Sequence, residues 1–153
     1  PRKLNKKTMK ISEISVSYSN NRSDRLKISN SKQSYDVLRA CWSDSTIELQ
    51  EEFKVLMLNR CNQILGVYPL SKGGVSATVV DAKLVFSVAL KCNASSIIIA
   101  HNHPSGNLNP SEVDKALTQK LKKAGEYLDI VLLDHLIITK DDFYSFSDNG
   151  LIK

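Results

Sequence analysis

Fourteen consecutive residues concentrate the side chains that can do chemistry: His101-Asn102-His103-Pro104-Ser105-Gly106-Asn107-Leu108-Asn109-Pro110-Ser111-Glu112-Val113-Asp114. They follow an apolar run, Ser96-Ile97-Ile98-Ile99-Ala100, that reads as a strand. Side chains on extended backbone alternate faces, so His101 and His103 point to one side and Asn102 to the other. Gly106, Asn107, Asn109 and two prolines favour a turn that reverses the chain, and the first turn of the next helix then presents Asp114 to the two imidazoles. Two histidines and a carboxylate are the donor set of a hydrolytic zinc site. Three protein ligands leave a fourth position for water, whose pKa the ion lowers from about 16 to about 7. Two plainer readings compete. Ser111-x-x-Asp114 after Pro110 is also a helix start, with Ser111 as cap and an acid in the positive first turn. His-x-His pairs also occur in loops for ordinary hydrogen-bonding reasons.

The elements that must position these residues follow from periodicity. Residues 1–8 read as a polar leader, and residues 9–19 alternate, with Ile14, Val16 and Tyr18 on one face, which predicts a half-buried strand. A turn cluster at 20–24 precedes a helix carrying Tyr35, Val37, Leu38 and Cys41, for which Ser31 or Ser34 is the cap. Residues 51–59 and 63–68, on either side of a polar turn, predict a β-hairpin that ends between Pro69 and Gly74. Residues 81–91 have helical spacing. A further helix opens at Pro110, with Val113, Ala116, Leu117, Leu121 and Ala124 on one stripe, and stops at Gly125. Residues 130–133 and 136–139 predict two short strands. Helices alternating with strands imply layered α/β packing.

The spacing His-x-His, seven residues, Ser, two residues, Asp resembles the motif of the JAMM metalloproteases, also called MPN or JAB. The run from His101 to Gly106 together with Leu133-Asp134-His135 looks like their bacterial RadC branch. The likeness covers about residues 45–152 and takes in Asn93-Ala94 before the central strand and Thr118 in the motif helix. It implies an α/β fold of the JAB/MPN, cytidine deaminase-like kind, a mixed β-sheet flanked by helices. It also implies a Zn2+ cofactor on His101, His103 and Asp114, Ser111 stabilising an oxyanion, and a general-base glutamate on an early strand. Position relative to Phe53 favours Glu51 for that glutamate. Glu51 and Glu52 must face opposite sides of a strand. If Phe53 and Val55 face the core, Glu51 shares their side and is a buried acid, which is costly without a purpose. The alternative is two exposed strand-end carboxylates. His135, between two apolar runs in a turn-like Asp134-His135 pair, reads as structural rather than as a fourth ligand.

At 153 residues, 42% hydrophobic and 24% charged, the chain has the size and composition of one ordinary globular domain, which excludes fibrous repeats and wholesale disorder. It divides into a basic N-terminal extension, 1–44, and a RadC-like JAB/MPN metallohydrolase domain, 45–153. The first forty residues carry ten Lys/Arg against three Asp/Glu, a local +7 in a chain of net +5. Such an arm can lie on nucleic acid through counterion release, or be a solvated tail. No apolar run approaches the roughly 20 residues of a membrane-spanning helix and no apolar stretch follows the basic start, so a cytoplasmic protein without a membrane partner is expected. Cys41, Cys61 and Cys92 are widely spaced and expected to be reduced and mostly buried. Tyr35, Trp42 and the other aromatics are too scattered for a base-stacking platform and belong to a core.

The function that follows is hydrolysis of peptide or isopeptide bonds in a protein or peptide substrate. The alternative is a non-catalytic, DNA-associated module of the DNA-repair type. Residues 1–44 lack the helix-hairpin-helix pattern common in RadC-type proteins, and Asp81-Ala82-Lys83 stands where the family commonly has His-Pro-Arg. Deamination, suggested only by the related fold, lacks the His-x-Glu and Pro-Cys-x-x-Cys signature, and His103 occupies the place where that chemistry needs glutamate.

Overall fold

The computed structural model describes residues 11–20, 23–74 and 78–153. In chain order the elements are α1 (Ser31–Ala40), β1 (Glu52–Leu58), β2 (Ile64–Lys72), α2 (Ala82–Lys91), β3 (Ser96–Asn102), α3 (Glu112–Tyr127), β4 (Val131–Ile138) and β5 (Phe143–Ser145). The strands form one mixed sheet in the order β2-β1-β3-β4-β5, in which β3 and β4 run parallel across the α3 crossover and every other pair is antiparallel. β3 is buried at all seven positions, as a central strand covered on both faces must be. The expected fold class is therefore found: α/β, with a mixed sheet flanked by helices.

Alternation along the strands builds two cores. Phe53, Val55, Met57, Ile97 and Ile99 pack with Val85, Phe86 and Ala89 of α2 and Leu121 of α3. On the other face, Leu56, Leu58, Ile98, Leu136 and Ile138 pack with Tyr35 and Leu38 of α1 and with Trp42 and Ile47 beyond it. Full burial of one such side chain stabilises by about 1.5–3 kcal/mol, so both faces hold the sheet. Part of the basic stretch before residue 45 thus contributes side chains to a core of the sheet. Tyr35 and Trp42 are core residues, as expected.

Several local expectations are corrected. Residues 11–20 form no strand, and Ile14 and Val16 are exposed. An alternating face needs a partner strand for its backbone, and this segment instead makes side-chain contacts, among them those from the Tyr18 hydroxyl and the Asn20 amide to the Leu65 carbonyl. Residues 1–10 and 21–22, which carry the leader, the start of that strand and part of the turn, lie outside the described residues. α1 is capped by Asn30, whose side chain accepts from Gln33 N, rather than by Ser31 or Ser34. α3 runs past Gly125 to Tyr127, and Val113 and Ala116 of the predicted stripe are exposed. Gly125 serves close packing instead: a Cβ there would lie 2.2 Å from the Ile130 carbonyl oxygen. Cys41 and Cys61 are exposed and only Cys92 is buried, all three being free thiols.

The two short strands predicted at the chain's end are one continuous β4. Its pairing with β3 shifts register between Ile97, opposite Leu132, and Ile98, opposite Asp134. Leu132 and His135 are an odd number apart and simple alternation would put them on opposite faces. The extra residue brings His135 opposite Ile99 and onto the α3 side of the sheet, a re-aiming typical of bulges beside functional sites. Among the described residues no helix is long and apolar enough to cross a membrane.

Candidate metal centre

β3 delivers His101 from its penultimate position, opposite Phe53 of β1, and His103 just past its end. The turn through Gly106, which adopts φ +82°, brings the chain back to α3. Ser111 caps that helix: its hydroxyl accepts from Asp114 N at 3.0 Å, while Asp114 Oδ2 accepts from Ser111 N at 2.8 Å. The helix-start reading and the ligand reading of these two residues therefore coexist. The capping box fixes the Asp114 carboxylate, and its oxygens face the imidazoles, with Oδ1 3.3 Å from His101 Nε2 and Oδ2 3.5 Å from His103 Nε2.

His101, His103 and Asp114 each offer a ligand atom, and these atoms lie within 4.8 Å of one another. The two Nε2 atoms are 2.9 Å apart. His103 Nδ1 lies 2.6 Å from the Asn107 carbonyl oxygen, which can only accept, so Nδ1 holds the proton and Nε2 of the neutral ring is a lone pair. Nitrogen and carboxylate acceptors converging on one point form a group able to hold a cation. Two imidazole nitrogens and one carboxylate are a donor set that fits a zinc ion.

Burial alone would raise the Asp114 pKa, but the neighbouring His101 and His103, with the Ser111 N–H, hold it well below the usual carboxylate range. Burial likewise works to lower His103, and the Asp114 carboxylate with the Asn107 carbonyl outweighs it, raising His103 above an ordinary imidazole. His135 is fully buried, and desolvation lowers its pKa well below 6.5; with no carboxylate among its hydrogen-bond partners the ring is neutral. Its Nε2 meets His101 Nδ1 at 2.8 Å and its Nδ1 meets Thr118 Oγ1 at 2.7 Å.

The cleft over this cluster, roughly 720 Å³, is lined by Glu51, Phe53, Val80, Ser111 and Leu117 as well as by the three ligand candidates. Glu51 lies immediately before β1, its backbone paired with Gly73 and Gly74 beyond β2. It is buried, and desolvation raises its pKa, partly offset by His101 and His103. Glu52 instead approaches Lys72 at 3.3 Å. The two neighbours thus part as alternation requires, with Glu51 on the side of Phe53 and the cleft.

Sequence reasoning passed over Asn102. Its Oδ1 accepts from Trp42 Nε1 at 3.0 Å and from Glu52 N at 2.8 Å, and its Nδ2 donates to the Ile47 and Gln50 carbonyls at 2.7 and 2.8 Å. All four hydrogen-bonding positions of the amide are used, and they tie the segment carrying Glu51 to the strand carrying the histidines. Its expected direction, away from the histidines, was the available signal.

The family model for the RadC-like JAB domain matches residues 28–151. The chain belongs to this RadC-like JAB domain family. The match takes in α1 as well as the sheet. Among curated proteins the chain is similar to a UPF0758 protein of Flavobacterium johnsoniae, 46% identical over 82% of this chain and 53% of the relative. It is also similar to a UPF0758 protein of Porphyromonas gingivalis, 43% identical over 84% and 56%. UPF0758 protein YfjY of Escherichia coli K12 is 44% identical over 67% and 64%. The chain spans about half the length of the first two. The α/β fold described here is consistent with a JAB domain, and in this chain it brings His101, His103 and Asp114 together as a group able to hold a metal.

Proposed function

We propose that the domain is a zinc-dependent hydrolase of the JAMM type that cleaves peptide or isopeptide bonds in a protein or peptide substrate. The observation that carries this reading is a single cleft holding the three ligand candidates, the buried Glu51 and the Ser111 hydroxyl. Zinc supplies Lewis acidity toward a carbonyl and acidifies water, and His101, His103 and Asp114 would hold it. Glu51 takes a proton from the attacking water, and its burial-raised pKa suits it to keep that proton and pass it to the leaving amine. Ser111 Oγ accepts from Asp114 N–H, so its own O–H proton is not used in that bond and is available to donate to the carbonyl oxygen as negative charge develops there.

The test is zinc content with hydrolysis of an amide-substrate panel, before and after chelation. About one zinc per chain is expected, with activity removed by chelator and restored by zinc. Glu51→Gln is expected to lower kcat by about 10²- to 10⁴-fold at unchanged zinc content. Zinc-loaded protein that is no faster than its Glu51→Gln variant on every substrate removes the hydrolase reading.

The charge asymmetry favours a second, separable reading, a DNA-associated surface on residues 1–40. It predicts DNA binding that weakens steeply with salt and is largely lost when residues 1–10 are removed. Binding that ignores either change sinks it.

A further inference from the structure

The contacts from His101 to His135 and on to Thr118 assign their own protons, because they end on an atom that can only accept. The Asp114 main-chain carbonyl oxygen lies 2.7 Å from Thr118 Oγ1, so the threonine proton occupies that bond. Thr118 Oγ1 then has only lone pairs to offer His135 Nδ1, 2.7 Å away, and Nδ1 must carry a proton. His135 is wholly buried and its ring bonds to no carboxylate, so the imidazole is neutral with one proton, and its Nε2 is a lone pair that faces His101 Nδ1 at 2.8 Å. That nitrogen in turn holds the proton of His101, leaving His101 Nε2 bare.

We infer that Thr118 and His135 are positioning residues that lock His101 in its Nδ1–H tautomer and so present its Nε2 lone pair to a cation. The Asn107 carbonyl does the same for His103, so two lone pairs meet 2.9 Å apart with no proton of their own between them. The chain of bonds begins on the backbone of Asp114, itself a ligand candidate, so one ligand sets the tautomer of another. Packing holds the geometry. Phe146 stacks on His135 at 4.4 Å and 15°, Thr118 and His135 are completely buried, and the register shift in β4 puts His135 on this face. Partners in this outer shell commonly set ligand orientation and basicity in metal sites.

The inference rests on reading the cluster as a metal site, and the experiment separates the two. Thr118→Ser keeps the hydroxyl, whereas Thr118→Val keeps the shape and removes it. Histidine nitrogen NMR on the zinc-free proteins reads the tautomer of His101, and chelator competition with zinc alone reads affinity. Wild type and Thr118→Ser are expected to show His101 protonated on Nδ1, while Thr118→Val shows mixed tautomers and binds zinc about 10- to 100-fold more weakly. If Thr118→Val does not fold, His135→Phe makes the same comparison, since it fills the ring's place against Phe146 but offers no acceptor. Equal tautomers and equal zinc affinity in the hydroxyl-bearing and hydroxyl-free proteins overturn the inference. So does zinc binding by a wild type whose His101 is protonated on Nε2. A wild-type His101 protonated on Nδ1 in a protein that ignores zinc upholds the lock and sinks the metal reading instead.

Discussion

At the end of β3 the two faces of one strand do opposite things with polar groups. On the α3 side, His101, His103 and Asp114 bring acceptors together with few donors to meet them. On the α1 side, Asn102 has every donor and acceptor paired, to Trp42, Ile47, Gln50 and Glu52. Both residues at the strand's end are almost fully buried, so exposure does not distinguish them. Pairing does. A buried network that is complete stabilises the fold, whereas one left short of donors is completed by something from outside. Substitutions on the two faces should therefore separate metal binding from stability.

The largest expected effect is on the short-handed face. In the double substitution His103→Ala with Asp114→Asn, two of three ligands go while an asparagine side chain still accepts Ser111 N–H and keeps the helix start. Zinc should fall from about one per chain to none measurable. Thermal unfolding of the zinc-free proteins should differ by no more than about 1 kcal/mol, the ordinary scale for a substitution that leaves the core and cap intact. A variant that melts far below zinc-free wild type would mean that these residues hold the fold, and the contrast between the faces would break.

Asn102→Ala tests the other face and should reverse the pattern. It strands two buried donors and two carbonyls, at about 1–3 kcal/mol for each unsatisfied group less whatever water restores, for a net loss of about 4 kcal/mol. At about 2–4 °C per kcal/mol in a chain of this size, Tm should drop by roughly 10 °C. Zinc affinity per folded molecule should change little, since the histidines are held from the other face. A stable Asn102→Ala protein would show that Glu51 is carried by the pairing of its backbone with Gly73 and Gly74 alone.

How much of this was legible in the sequence follows from the range of the interactions. His101, His103, Ser111 and Asp114 could be assembled because strand alternation, a turn and a helix's first turn are local rules acting over fourteen residues. The hairpin, α2 and β3 were readable for the same reason. His135 was misplaced in a turn because a register shift against another strand has no local signature. The Leu133-Asp134-His135 run breaks alternation, and a break in alternation looks like a break in the strand. Residues 11–20 erred the other way, since they have the alternating pattern of a strand but form none. Thr118 and His135 touch across 17 positions and Asn102 reaches back 50 to 60, so their partners are fixed by packing that the sequence does not display.

The smallest expected effect is a pH dependence with opposite signs in the two states of the cluster. In zinc-free protein, burial works to lower His103, but the Asp114 carboxylate and the Asn107 carbonyl raise it above 6.5. A raised folded pKa contributes stability that is complete below the unfolded value, about 6.5, and disappears as pH climbs through the folded value. Zinc needs the same nitrogen without its proton, so metal affinity moves the other way, by about tenfold per pH unit while one proton is displaced. Between pH 6 and pH 8 the zinc-free protein should lose some of its stability while the rise in Tm on adding zinc grows. The measurement is a pair of thermal unfolding series over that window, with chelator and with excess zinc. A zinc-induced rise of the same size at pH 6 and pH 8 would mean that the ion does not compete for His103 Nε2, and a ligand set without that residue would be needed.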